Sequence, residues 1–218
     1  MKDIFLLDMD DTLLDFEKAE RAGVFDTFRA IGLTADDCVA ARFHEINDAL
    51  WKALERGEIE RERIVYKRFE ILFAEYGIAK DAHGAADVYF EALALHCYPF
   101  EGMREFLAEL KKRGRIYIVT NGSRYIQRRH LEDGGILPSC DGVFISEEIG
   151  HYKPSEGYCD YVRAHIAGFE SERAVYLGDS LTADKVCADR LGVQFVRYLP
   201  RGRAGEGIVS YGEFWKKI

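Results

Sequence analysis

The chain has 218 residues, 48% of them hydrophobic and 31% charged, which is enough apolar material for a buried core and too much for a disordered chain or a fibre. Against 30 Lys and Arg stand 38 Asp and Glu, a formal net charge of -8, so no long-range attraction draws the protein to nucleic acid polymers or to an anionic membrane. Five cysteines, an odd number, widely spaced and without Cys-x-x-Cys, argue against a disulfide framework and a zinc ribbon.

The first apolar run, at 4–7, reads as a strand and is too short for a signal sequence. No later stretch approaches the roughly 20 apolar residues of a membrane span, and the cytoplasm is the expected location. From 16 to 97 no strand pattern occurs. A helix is predicted over 17–30; a stripe of Val39, Phe43, Ile46, Leu50 and Leu54 marks a second; Val65, Phe69, Leu72 and Tyr76 before Gly77 mark a third; and 81–95 makes a fourth. Tyr98-Pro99 marks the return to an alternating pattern. Helices over 102–113, 123–133, 155–167 and 182–191 interleave with strands at 116–119, 143–145, 175–177 and 193–196, with Gly114 and Gly192 as stop signals. The expected fold class is α/β: a Rossmann-like parallel sheet core with helices on both faces, formed by 1–15 and 98–218, and an inserted all-helical module at 16–97. The glycine-rich 202–207 reads as a surface loop.

Open parallel sheets bind ligands beyond the carboxyl ends of their strands, so the residues following each apolar run belong together. They are Asp8-Met9-Asp10-Asp11-Thr12, Thr120-Asn121-Gly122, Lys153-Pro154 and Gly178-Asp179-Ser180-Leu181-Thr182-Ala183-Asp184. Carboxylates gathered on one rim repel one another unless a cation or a retained proton relieves them, and Mg2+ is the natural cation for such oxygen donors. Taken one at a time, each of these aspartates reads as a cap or a turn residue. The first segment is no calcium loop, because Leu13 stands where the sixth-position glycine belongs and Ala19 at the twelfth. The six histidines have no metal-ligand spacing. Trp51, Lys52, Arg61, Arg63, Lys67 and Arg68 read as core stripe and solvated face.

In this order, each after an apolar strand, the four segments resemble the motifs of the haloacid dehalogenase superfamily of phosphohydrolases, and the helical insert resembles the cap of that superfamily. Asp8-Met9-Asp10-Asp11-Thr12-Leu13-Leu14-Asp15-Phe16 and the segment 50–59 are most similar to the pyrimidine 5'-nucleotidase branch. The helix at 184–192 lacks the glycine pair that relatives often carry. The resemblance implies Asp8 as nucleophile and metal ligand, and Asp10 as general acid and base that gives the metal its backbone carbonyl. It implies Thr120, Asn121 and Gly122 around the phosphoryl oxygens, Lys153 as the neutralising cation, and Asp179 and Asp184 at the metal. Thr12 would fix the turn after the nucleophile, and Phe16 is a candidate to stack on a base. The implied activity is Mg2+-dependent hydrolysis of a small-molecule phosphate ester, foremost a nucleoside monophosphate, with no nucleic acid or membrane partner and the oligomeric state open. A sugar-phosphate phosphatase or phosphomutase would share every core motif. An acid at Asp10 disfavours 2-haloacid dehalogenation, and the motif order disfavours a phospho-receiver.

Overall fold

The computed structural model describes residues 2–199 and 205–218. Strand β1 (Ile4–Leu7) is followed by four helices, α1 (Phe16–Ala30), α2 (Asp37–Glu55), α3 (Arg61–Tyr76) and α4 (Ala82–Ala94). Helix α5 (Met103–Arg113) then leads to β2 (Arg115–Thr120), α6 (Arg124–Asp133), β3 (Gly142–Ile145) and the single turn α7 (Ser146–Ile149). The chain ends through α8 (Glu156–His165), β4 (Ala174–Gly178), α9 (Asp184–Leu191), β5 (Gln194–Arg197) and α10 (Tyr211–Phe214). Two units result: Met1–Asp15 with Tyr98–Ile218, and Phe16–Cys97.

In the first unit the strands lie in the order β3-β2-β1-β4-β5, and every neighbouring pair is parallel. All four residues of β1 are buried, as befits a central strand covered by helices on both faces. One face packs Ile4, Leu6, Val119 and Tyr176 against Val162 of α8 and Leu191 of α9. Leu7, the last residue of β1, pairs with Ile118 on one side and Leu177 on the other, so β2 continues to Thr120 and β4 to Gly178 beyond it. The chain leaves β1 toward β2 and β3, then crosses to β4 and β5 on the opposite side. The reversal makes the crevice beyond β1 and β4 the topological switch point, where ligands bind in this architecture.

Element boundaries differ from the sequence pattern for local reasons. Helix α5 starts at Met103 because Gly102 holds a left-handed conformation, φ 77°. Helix α9 starts at Asp184 because 181–183 form a turn in which Ala183 N donates to Ser180 Oγ at 3.0 Å. Helix α8 ends at His165, where Ile166 turns extended and buries its side chain. Val193 precedes β5 rather than belonging to it. Gly192 ends α9 in the left-handed region, φ 70°, but Gly114 is extended; a Cβ there would overlap the carbonyl of Asp3, so close backbone approach demands that glycine. Of the expected loop at 202–207, residues 202–204 lie outside the described residues; Gly205, Glu206 and Gly207 are exposed.

The second unit is a four-helix module in which α1 packs mainly on α4 and α2 on α3. Asp36 and Asp81 cap α2 and α4 by accepting from Val39 N and His83 N. The interior is aromatic: Phe43, Phe69 and Tyr89 meet with centroids 5.0 to 5.6 Å apart, and Phe73 joins Phe69 edge-on. Burying each such ring stabilises the module by on the order of 2 kcal/mol. The inward stripe of α3 is Ile64, Arg68, Phe69, Leu72 and Phe73. Tyr76 is exposed, and Val65 and Leu50 are only half-buried, which corrects the stripes read from the sequence. Arg68 is no solvated residue either: it stacks on Tyr89, 4.5 Å from the centroid, and donates to Asn47, which donates to the buried Glu20. That polar chain makes the buried charge tolerable.

Among the described residues no helix is long and apolar enough to cross a membrane. All five cysteines are free thiols.

Candidate active site

Asp8 follows the last residue of β1, and its amide donates to Leu177 O at 2.9 Å, prolonging the pairing with β4. Met9 is buried in the core, and Asp10 follows it beyond the end of the strand. The chain then reverses tightly: Leu13 N and Leu14 N both donate to Met9 O, and Asp11 N donates to Leu14 O with Asp11 at φ 57°. The main chain therefore fixes this turn. Thr12 is buried, and among the described residues its hydroxyl finds no hydrogen-bond partner, so the turn is not held by its side chain there.

Lys153 is 2% exposed and each of its ammonium protons has an acceptor: Asp8 Oδ1 at 2.7 Å, Asp184 Oδ1 at 2.8 Å and Val119 O at 2.8 Å. Asn121 holds the lysine's backbone, accepting from Lys153 N at 2.7 Å and donating to Lys153 O at 2.9 Å. Asn121 thus spends its side chain on Lys153. Asp184 accepts from Lys153, from Tyr176 Oη at 2.9 Å and from Ser180 N at 3.1 Å. A Cβ at Gly178 would overlap the Asp184 carboxylate, so glycine there lets α9 start against the strand end.

Carboxylate oxygens of Asp8, Asp179 and Asp184 lie within 4.8 Å of one another. Three carboxylates thus gather beside the Lys153 ammonium, and their repulsion of one another shapes the electrostatics. Burial, then Asp184, raises Asp8 well above the usual carboxylate range against the pull of Lys153. Burial alone would lower Lys153, but Asp184 and Asp8 outweigh it and hold the ammonium far above the ordinary lysine value. The cluster consists of hard oxygen donors, and Asp8 Oδ2 receives no hydrogen bond from the described residues. This donor set fits Mg2+ in charge and chemistry. The Asp10 carboxylate stands outside the cluster: its Oδ2 accepts from Gln127 Nε2 at 2.6 Å, and burial pushes its pKa up to about 6.

Thr120 ends β2, buried, its Oγ1 accepting from Gly122 N at 3.2 Å and Gln127 Nε2 at 2.9 Å. All eight residues singled out in the sequence, Asp8, Asp10, Thr120, Asn121, Gly122, Lys153, Asp179 and Asp184, therefore lie in the first unit on the strand-end rim or the helix starts beside it. The sequence reasoning missed Gln127 and Tyr176. A tyrosine in the buried centre of β4 needs a partner for its hydroxyl, a signal available for Tyr176. No comparable signal marks Gln127.

Comparison with known proteins gives a consistent result. The family model for haloacid dehalogenase-like hydrolases matches residues 2–185. The HAD-hydrolase YfnB of Bacillus subtilis is 35% identical over 179 residues, covering 82% of this chain and 76% of that protein. The pyrimidine 5'-nucleotidase PynA of Streptococcus pneumoniae is 34% identical over 196 residues, 89% of this chain and 83% of that protein. The crystal structure of YfnB bound to magnesium superposes with a TM-score of 0.93 at 30% identity, over 99% of this chain and 97% of that one.

Proposed function

Since the chain belongs to the haloacid dehalogenase-like hydrolases, we propose that it is a Mg2+-dependent phosphomonoesterase acting through an aspartyl-phosphate on Asp8, with a nucleoside 5'-monophosphate as substrate. The observation that carries this reading is the Asp8 carboxylate, bound on one oxygen by the Lys153 ammonium and grouped with Asp179 and Asp184 at the switch point of the sheet. The nucleotide preference is supported by the similarity to PynA.

In this reading Asp8 attacks phosphorus; a bond from its carboxylate oxygen to phosphorus forms as the bond to the ester oxygen breaks. Asp10 gives its proton to the departing oxygen, then takes one from the water that cleaves the acyl phosphate, returning Asp8 and releasing phosphate. A pKa near 6 suits a group that must do both near neutral pH. Lys153 remains charged throughout and offsets negative charge on Asp8 and the phosphoryl group. Thr120 and the amides of Asn121 and Gly122 hold phosphoryl oxygens ahead of α6. Asp8, the Asp10 carbonyl, Asp179 and Asp184 would hold Mg2+, directly or through water, and the ion would neutralise the phosphoryl oxygens when bound. By likeness to the family, the helical unit 16–97 would be its cap domain.

Asp8→Asn tests the mechanism: phosphate release in Mg2+ is expected to vanish with the fold intact by circular dichroism, and undiminished release refutes it. A panel of nucleoside 5'-monophosphates and sugar phosphates tests the substrate, since higher kcat/KM on sugar phosphates would overturn the nucleotide assignment.

A further inference from the structure

Gln127 lies on the first turns of α6, almost wholly buried, and reaches back to two motifs at once. Its Nε2 donates to Asp10 Oδ2 at 2.6 Å and to Thr120 Oγ1 at 2.9 Å, so one amide uses both protons on the rim of the site. With Asp10 ionised, only the NH2 end of the amide can face Oδ2, since the carbonyl end would be repelled. Among the described residues, two buried oxygens here find no hydrogen-bond partner: Asp10 Oδ1 and Gln127 Oε1. Leaving such groups unsatisfied is costly, on the order of 1–3 kcal/mol each, and in a native site it marks a group held for a ligand. Gly122 belongs to the same arrangement, because a Cβ there would overlap the Gln127 amide and drive it off Asp10 and Thr120.

We propose that Gln127 is a positioning residue for the general acid: by occupying Asp10 Oδ2 it fixes the carboxyl in one orientation and leaves Oδ1 as the oxygen that meets the ester oxygen of the leaving group. The bond to Thr120 ties this orientation to the strand end expected to hold the phosphoryl group, so the proton donor and the phosphorus are set by one side chain. This inference rests on the phosphomonoesterase reading and adds to it a residue that touches neither substrate nor metal.

Leaving-group chemistry separates this role from a structural one. A nucleoside 5'-monophosphate expels an alkoxide and needs a proton from Asp10, whereas 2,4-dinitrophenyl phosphate expels a stable phenolate and needs none; kcat/KM reports the step in which that bond breaks. General acid catalysis contributes about 10²–10⁴-fold, so misdirecting the acid forfeits a substantial part of it. In Gln127→Met, of nearly the same length and without the amide, kcat/KM for the nucleotide is expected to fall at least ~30-fold, and that for the dinitrophenyl ester less than ~3-fold. Gln127→Glu, which keeps a polar group in the buried position but has no NH2, is expected to give the same selective loss and covers the case in which the methionine variant does not fold. Equal losses on both esters would make Gln127 a structural brace and overturn the proposal, as would no loss on either. A wild-type enzyme that hydrolyses neither ester would instead overturn the phosphomonoesterase reading itself.

Discussion

Replacing Asp10 with Asn isolates the cost of burying an acid in an acidic site. Burial raises this carboxyl from 3.8 to about 6, with Gln127 and Lys153 pulling down and Asp11 pushing up. In the unfolded chain the group returns to its ordinary value. Below pH 3.8 both states hold the proton and the site costs nothing. Between 3.8 and 6 the unfolded chain ionises while the folded protein still holds its proton, so stability is lost progressively as pH rises. Above 6 the loss is complete, at about 3 kcal/mol, given about 1.4 kcal/mol per pH unit. Asn cannot ionise, and its carbonyl oxygen still accepts from the Gln127 amide.

Urea unfolding of wild type and Asp10→Asn, in EDTA to exclude divalent cations, reads the difference directly. The two free energies are expected to coincide near pH 3.5 and diverge across pH 4–6, with the variant more stable by up to about 3 kcal/mol at pH 7.5. A difference independent of pH, or a variant less stable than wild type at pH 7.5, would refute the argument that desolvation dominates at Asp10.

Removing the ammonium shared by Asp8 and Asp184 works in the opposite direction. Lys153→Met leaves Asp8 and Asp184 buried without their cation, a loss of about 3–5 kcal/mol that lowers Tm by on the order of 10 °C at pH 8; because the surplus carboxylates then take up protons, the deficit should shrink toward pH 5, and a deficit that grows there would contradict it. Tyr176→Phe removes one of three donors to Asp184 and is expected to cost about 1–2 kcal/mol in urea unfolding; an unchanged midpoint would show that the hydroxyl contributes nothing. Mg2+ is expected to raise Tm of the wild type through its preference for the folded site and to leave Asp179→Asn nearly unmoved, with calorimetric titration of the metal-free proteins as the check; equal affinities would remove Asp179 from the metal site.

The strand-end motifs were legible because each stands at a boundary that sequence marks sharply, where an apolar run stops and a polar residue must face the crevice. Asp8, Thr120 and Asp179 follow from that alone. Lys153 and Asp184 were gathered with them by position after the later strands, but their burial was not legible, since a lysine in a loop and an aspartate at a helix start carry no local sign of it. Asn121 was legible in place but not in use: its side chain clamps the Lys153 backbone, a contact across 32 positions that no local pattern encodes. Gln127 lies in a run with Arg128 and Arg129 that reads as solvated helix, and its partner Asp10 is 117 positions away. In the helical unit the stripes hold at Val39, Phe43, Ile46 and Leu54 of α2 and at Phe69 and Leu72 of α3, but they leave out Asn47 and Arg68, which are drawn inward by Glu20 and each other rather than by hydrophobicity.

Gly122 and Gly178 show how the backbone makes this chemistry reachable. Neither supplies a functional group, yet a side chain at either would strike the group that orients the site, the Gln127 amide in one case and the Asp184 carboxylate in the other. Each glycine lets a helix begin against a strand end closely enough for a short side chain to cross the gap. Asp184 is thereby brought within reach of Lys153, and Lys153 within reach of Asp8, so one ammonium bridges carboxylates contributed by β1 and α9. Burial and the neighbouring Asp184 oppose ionisation of Asp8, and in the phosphomonoesterase reading a bound divalent cation would offset that opposition.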